Sequence, residues 1–195
     1  VSLQERIIAY LIVSKKIEPD RYLDIMAVEQ SKNILALILS KERAGTEAEL
    51  RLRQDFLLDL IFGRESEESL QRRGRYLNID FQHPHRIVVL SPSRMSDREA
   101  SDRKRLLQTL EKIRGRLNEP HILSVVNGGK LILAVPGEQA EKVANRIYML
   151  FKQFSPDSSA TVGISNPITQ PNDYAKGYEE AKKAAGFAEQ LGKSE

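Results

Sequence analysis

The chain has no cysteine. Disulfide scaffolds, thiolate zinc sites and cysteine nucleophiles are therefore excluded. The lack of thiols also fits a reducing compartment, and a cytoplasmic location is expected. No apolar run approaches the roughly 20 residues that a membrane helix needs. The longest, Ile7 to Val13, has the length of a strand and lacks the basic flank and cleavage site of a signal peptide. No membrane partner is expected. Internal repeats and low-complexity segments are absent as well. Charge of one sign is nowhere concentrated. The net charge is +3, but positives and negatives interleave, as in Arg98-Glu99 and Glu179-Glu180-Ala181-Lys182-Lys183. A dedicated nucleic-acid surface gathers its lysines and arginines on one face, so no DNA-binding residue is assigned here.

Hydrophobic residues make up 41% and charged residues 29% of the 195 positions, a balance that supports a core and a well-solvated surface. Arg6 to Val13 reads as a strand, which needs partners from upstream, from this chain or from a second copy. Its position at the chain start suggests that the fragment begins inside a domain. Pro19 suits the first turn of a helix. Leu23, Met26, Ile34, Leu37 and Ile38 then carry that helix to about Lys41 or beyond, and Gly45-Thr46 is a possible break. Thr46-Glu47-Ala48-Glu49 offers a capping box for a restart, and the second stretch stops at Gly63. Together the stretches span roughly 40 residues, about 60 Å. Positions such as Leu37, Ala44, Ala48 and Leu58 are candidates for a connector that pairs with a twin. The charged residues among them argue against a strong autonomous coiled coil.

Beyond a short helix at about Glu67–Leu77, strands and helices alternate. Arg86–Leu90 is a buried strand. A capping box at Ser96 opens a helix with Leu106, Leu110, Ile113 and Leu117 on one face, ended by Pro120. His121–Val126 and Leu131–Val135 are strands joined by a tight turn at Asn127-Gly128-Gly129-Lys130. Gly137–Phe154 is a helix with Ala140, Val143, Ala144, Ile147, Phe151 and Phe154 inward. Ala160–Ser165 is a strand. The last helix presents Tyr174, Tyr178, Ala181, Ala185 and Ala188. The order β-α-β-β-α-β-α predicts an α/β (α+β) fold of the ferredoxin-like βαββαβ type, an antiparallel sheet with helices on one face. Two regions are expected: residues 1–64, a terminal strand and connector helix, and residues 65–195, the α/β domain. The polar tail after Leu191 suggests that the fragment also ends early.

The strand order and hairpin resemble nucleotide cyclases of the GGDEF type, whose motif lies on this turn. Gly128 and Gly129 match it. Lys130, Leu131 and Ile132 stand where the resemblance implies Asp or Glu, Glu and Phe. Ser91-Pro92-Ser93 stands where it implies a second metal-binding Asp. Phosphoryl transfer of this kind needs Mg²⁺ on acidic ligands, so no catalytic residue, metal or cofactor is expected. The family's inhibitory Arg-x-x-Asp is also missing: Glu119-Pro120-His121 stands there, and Arg94-Met95-Ser96-Asp97 is misplaced. The flanks narrow the likeness. Leu52–Gly63, Tyr76–Asp80, Thr161–Pro167, Tyr174 and Tyr178–Ala184 resemble the degenerate GGDEF-like domain of PucR/CdaR-type transcription regulators, and the first part is similar to the end of a GAF-like sensor. That resemblance implies a dimer, an upstream sensor that holds a small-molecule inducer, and DNA contact only through a C-terminal helix-turn-helix beyond Glu195.

Three other features have plainer readings. His83-Pro84-His85 is expected to face solvent rather than metal, for want of a third ligand nearby. Arg72, Arg73 and Arg75 read as a basic helix end. Asn127-Gly128-Gly129 could cradle a phosphate through its N–H groups, but a plain turn accounts for it. The alternatives to a regulatory module are a nucleotide-binding domain and a divergent cyclase.

Overall fold

The computed structural model describes residues 2–3, 6–7, 12, 22–93, 100–117, 119 and 121–192. The chain divides into two compact units, Val1–Arg51 and Leu52–Glu195.

In the first unit, β1 (Ser2–Leu3) pairs antiparallel with β2 (Arg6–Ile7), Ser2 opposite Ile7. The expected strand from Arg6 to Val13 is thus described only at its start, and it pairs within the chain. Ile12 lies outside any strand. The helix α1 runs unbroken over Tyr22–Phe62, so it continues beyond Lys41 and the possible break at Gly45-Thr46 does not occur. The Thr46 hydroxyl donates to the Glu42 carbonyl one turn back (3.0 Å) instead of capping a new start. A glycine costs a helix only about 1 kcal/mol relative to alanine, and the helix formers around Gly45 carry the chain through. Pro19 and the start of the helix before Tyr22 lie outside the described residues.

In the second unit, α1 ends where Gly63 adopts φ +60° and the Arg64 N–H returns to the Asp59 carbonyl (3.2 Å). The helix α2 (Glu67–Tyr76) is capped by Ser66, and Glu67 and Glu68 in its first turn and Arg73 and Arg75 in its last complement its dipole. It closes in a Schellman turn: Asn78 takes φ +55°, its N–H reaches Arg75 O, and the Ile79 N–H reaches Gly74 O. Arg73 does more than complement the dipole. It pairs with Asp59 (2.8 Å) and Glu65 and lies over the Phe56 ring, tying α2 to the end of α1.

The sheet consists of β3 (His85–Pro92), β4 (Leu123–Asn127), β5 (Lys130–Pro136) and β6 (Ala160–Ile164), in the antiparallel order β4-β5-β3-β6. With α3 (Ala100–Gly115), α4 (Ala140–Phe154) and α5 (Tyr174–Leu191), this is the expected ferredoxin-like α+β arrangement. The residues Arg94 to Glu99, with the capping box at Ser96, and Pro120 lie outside the described residues.

The helices do not share one face. Leu106, Leu110 and Ile113 of α3 and Val143, Ile147 and Phe151 of α4 cover Val88, Leu90, Leu131 and Leu133. On the other face Phe56, Leu57, Leu60 and Ile61 of α1, Leu70 of α2 and Tyr174 and Ala181 of α5 cover Ile87, Val89, Ile132 and Ala134. This corrects the one-face expectation. Ile87 to Leu90 and Leu131 to Val135 are apolar without alternation because both sides of the sheet are buried. The end of α1 belongs to this core, so the α/β unit begins at Leu52, ahead of the boundary expected after residue 64. Ala188 is exposed rather than facing the sheet. At the closest crossing, a Cβ on Gly163 of β6 would stand 1.9 Å from the Ala181 carbonyl of α5, so only glycine fits.

Candidate functional site: two ends of one sheet

The β4–β5 hairpin closes one end of the sheet. Asn127 pairs with Lys130, and Gly128 and Gly129 hold φ +56° and +74°, the positive pair that a two-residue turn requires. The sheet register places Leu90 of β3 beside Leu131, so Ser91 and Pro92 come up next to the turn. A cavity of about 340 Å³ forms between Ser91-Pro92, Gly128–Lys130 and one flank of α5, where Lys182 and Glu189 join it. The α5 contribution was not read from the sequence. Its only signal there was the Glu-Glu-Ala-Lys-Lys run, which reads equally well as a solvated helix face. Lys182 is engaged on that surface, pairing with Glu179 (3.1 Å) and lying over the Tyr178 ring.

The hairpin side chains divide sharply. Lys130 is half-buried at the cavity. Leu131 and Ile132 are fully buried on opposite faces, Leu131 in the α3/α4 core and Ile132 in the α1/α5 core. A residue at position 131 therefore serves packing here. No group of three or more His, Asp or Glu suited to a metal ion occurs among the described residues.

The opposite end of the sheet holds a cavity of about 630 Å³, lined by the segments Asn78–Asp80 and His83–Arg86, by His121, and by Pro136 and Gly137. His83 is exposed, as expected. Its Nδ1 stands 2.7 Å from Asp80, which also accepts from the Gln82 N–H (2.8 Å). These bonds hold the Asp80 carboxyl below the usual carboxylate range. His85, expected to face solvent, is buried, only 6% exposed. The reason is its place on the strand. It shares the face of Ile87 and Val89, and its ring lies against Phe81 and Tyr174, with centroids at 6.4 and 6.1 Å. Burial lowers its pKa, against the opposing influence of the His83 main chain and Asp80. Burial likewise raises the pKa of the Tyr174 hydroxyl.

The connector candidates fare differently from one another. Leu37 is 72% exposed, and Ala44 and Ala48 are exposed on α1. Leu58 packs against the domain core and is not a free seam position. Among the described residues no helix is long and apolar enough to cross a membrane.

The strand order, the double-glycine hairpin and the helices that flank them define a module of the ferredoxin-like α+β class. The profile of the GGDEF-like domain matches residues 62–187 of this chain, and the chain belongs to that family. No curated protein shows a significant match to it.

Proposed function

We propose that this GGDEF-like domain is a non-catalytic regulatory and dimerisation module of a cytoplasmic PucR/CdaR-like transcription regulator. In this reading it relays a signal from an upstream GAF-like sensor, which holds the inducer, to a C-terminal helix-turn-helix that contacts DNA. One observation carries the non-catalytic part: the metal-binding positions of the cyclase motif hold Lys130, a fully buried Leu131 and, on β3, Ser91-Pro92. The lysine has the wrong sign for a metal ligand, and Glu189 is the one carboxylate among the described lining residues. A transition state rich in phosphate charge has no paired acidic clamp there. The chain incubated with GTP and Mg²⁺ should give no cyclic dinucleotide; any product that depends on Lys130 or Glu189 overturns the reading.

Dimerisation rests on the first unit, where Tyr22, Ile34, Leu37 and Ile38 are exposed apolar residues on α1. Leu37→Glu together with Ala44→Glu should halve the mass seen by light scattering. An unchanged mass removes α1 as the dimer element. Leu58 is unsuited to that test, because a charge there strikes the domain core. The coding sequence downstream of Glu195 tests the regulator assignment. Two capped helices around a short turn support it, and a different effector domain ends it.

A second reading is favoured by the hairpin cavity. Two lysines, Lys130 and Lys182, and the main chain of Gly128-Gly129 border it, a setting that suits an anion. Calorimetry with GTP and with cyclic dinucleotides decides whether the domain retains nucleotide binding without turnover.

A further inference from the structure

The order β4-β5-β3-β6 leaves β4 at an edge of the sheet. The tight turn makes Asn127 and Lys130 a hydrogen-bonded pair, so Leu123, Val125 and Asn127 turn their N–H and C=O groups toward β5. Those of Ser124 and Val126 point outward, and among the described residues none bonds to them. Both residues are half-buried rather than covered. An open edge of this kind is a template for another strand, and natural proteins blunt it with lysine, proline or a bulge. The strand Leu-Ser-Val-Val-Asn has none of the three, and its register with β5 is regular. The other edge, β6, is interrupted by Gly163, which lies under α5 and has no side chain for a cross-strand pair.

The helix beside that edge carries a matching surface. α3 packs over β4, and α4 over β3 and β6. Leu106, Leu110 and Ile113 of α3 point to the sheet. One flank of α3, with Arg105, Thr109 and Lys112, faces the end of α4, where the Thr109 and Ser155 hydroxyls meet at 3.3 Å. By helical period the opposite flank holds Arg103, Leu107, Glu111 and Arg114, on the side of the β4 edge. Arg103, Leu107 and Glu111 are exposed there, and Glu111 meets Arg114 of its own helix (2.7 Å). Arg103 and Glu111 stand four residues to either side of Leu107. Two copies related by a two-fold axis run this flank antiparallel, so each Arg103 comes opposite the other copy's Glu111.

We propose that the β4 edges of two copies of this chain pair antiparallel about a two-fold axis and join their sheets into one. The α3 flanks then meet across the seam through Leu107 and the Arg103–Glu111 pairs. The occupant is a second copy because edge and flank are self-complementary, the edge in hydrogen bonding and the flank in charge. A contact of this isologous kind closes as a dimer. The proposal rests on the dimer reading but not on α1 as the element that forms it.

The test is amide hydrogen exchange of the full chain, dilute and concentrated, with light scattering on the same samples. Where the chain scatters as a dimer, the Ser124 and Val126 amides should exchange roughly tenfold or more slowly than in the monomer. The outward amides of the other edge, Ala160, Val162 and Ile164, should exchange at one rate in both. Ser124→Pro removes an outward N–H and should leave the Val126 amide fast at every concentration. The fold should accept it, because proline is tolerated where an edge N–H meets solvent. Arg103→Glu and Glu111→Arg should each weaken the dimer by roughly threefold, as like charges meet across the seam, and the two together should restore it. A chain that scatters as a monomer in every sample overturns the seam together with the dimer reading. A dimer whose Ser124 and Val126 amides stay fast overturns the seam alone. So do protection that persists in the monomer or that falls on Ala160, Val162 and Ile164 instead, a Ser124→Pro dimer that keeps Val126 protected, or a double charge variant no tighter than the single ones.

Discussion

The two ends of the sheet are built from the same strands, yet they hold their polar groups in opposite ways. At the hairpin end the backbone does the work. Two glycines at positive φ make the turn, Lys130 and Lys182 stay near solvent, and the next residue, Leu131, is already core. At the far end side chains go inward. His85, Tyr174 and Phe81 form an aromatic cluster, Phe81 and Tyr174 meeting edge to face at 5.9 Å, with Phe56 of α1 behind Phe81 at 6.3 Å. The difference teaches where a degenerate domain keeps its constraints. A turn without carboxylates still has to turn, whereas polar groups buried without partners persist only when the surrounding structure holds them in place.

The contrast can be broken most forcefully at Leu131. Leu131→Glu puts a carboxylate where the cyclase motif has one, but inside the α3/α4 core, and should cost about 4 kcal/mol or more. Lys130→Asp, one residue earlier and half-buried, should stay within about 0.5 kcal/mol. Urea midpoints measure both. If Leu131→Glu is tolerated as well as Lys130→Asp, the hairpin has kept an open metal position and the degenerate reading of that end fails.

Next in size is Tyr174 at the far end. Tyr174→Ala should lose about 3–4 kcal/mol through the cavity it leaves in the aromatic cluster. Its hydroxyl is buried with no partner in the protein, so Tyr174→Phe should be neutral or stabilising by about 1 kcal/mol. A clear loss in Tyr174→Phe would show that the hydroxyl is paired in solution.

Gly129→Ala should cost about 1–2 kcal/mol, because an L-residue at φ +74° is strained. Urea denaturation gives the number, and no loss would mean that the turn adapts to another type.

The smallest effect concerns pH. Burial lowers the pKa of His85 below its ordinary value of 6.5. In that window the unfolded chain binds the proton that the folded chain refuses. The stability from the neutral imidazole is therefore complete above pH 6.5 and is lost as pH falls toward the folded pKa. Denaturant midpoints at pH 7.5 and 5.5 should differ in the parent chain, and the difference should shrink in His85→Phe. An equal difference in both proteins would place the pH dependence elsewhere.

Much of this was legible along the chain. The apolar face Leu106-Leu110-Ile113-Leu117, the inward set of α4 and the Gly128-Gly129 turn are where their spacing placed them, because helical period and positive φ are local properties. Other features were not legible. An apolar strand such as Ile87 to Leu90 says that it is buried but not what covers each side, so the packing of helices on both faces escaped the sequence. His85 read as a solvent-facing neighbour of His83, since an imidazole carries no local mark of burial. Lys182 and Glu189 reach the hairpin cavity from over 50 positions away, a proximity that only the β6–α5 crossing at Gly163 produces.

By itself the sequence determined the succession of elements, the hairpin and the loss of its acidic letters, since each depends on residues within a turn or two of one another. Tertiary structure decided the rest. It buried Leu131, packed Leu58 against the core and set the His85 ring among Phe81 and Tyr174. Those outcomes depend on which distant surfaces meet, and burial free energy, which follows the area removed from water, is settled only when they do.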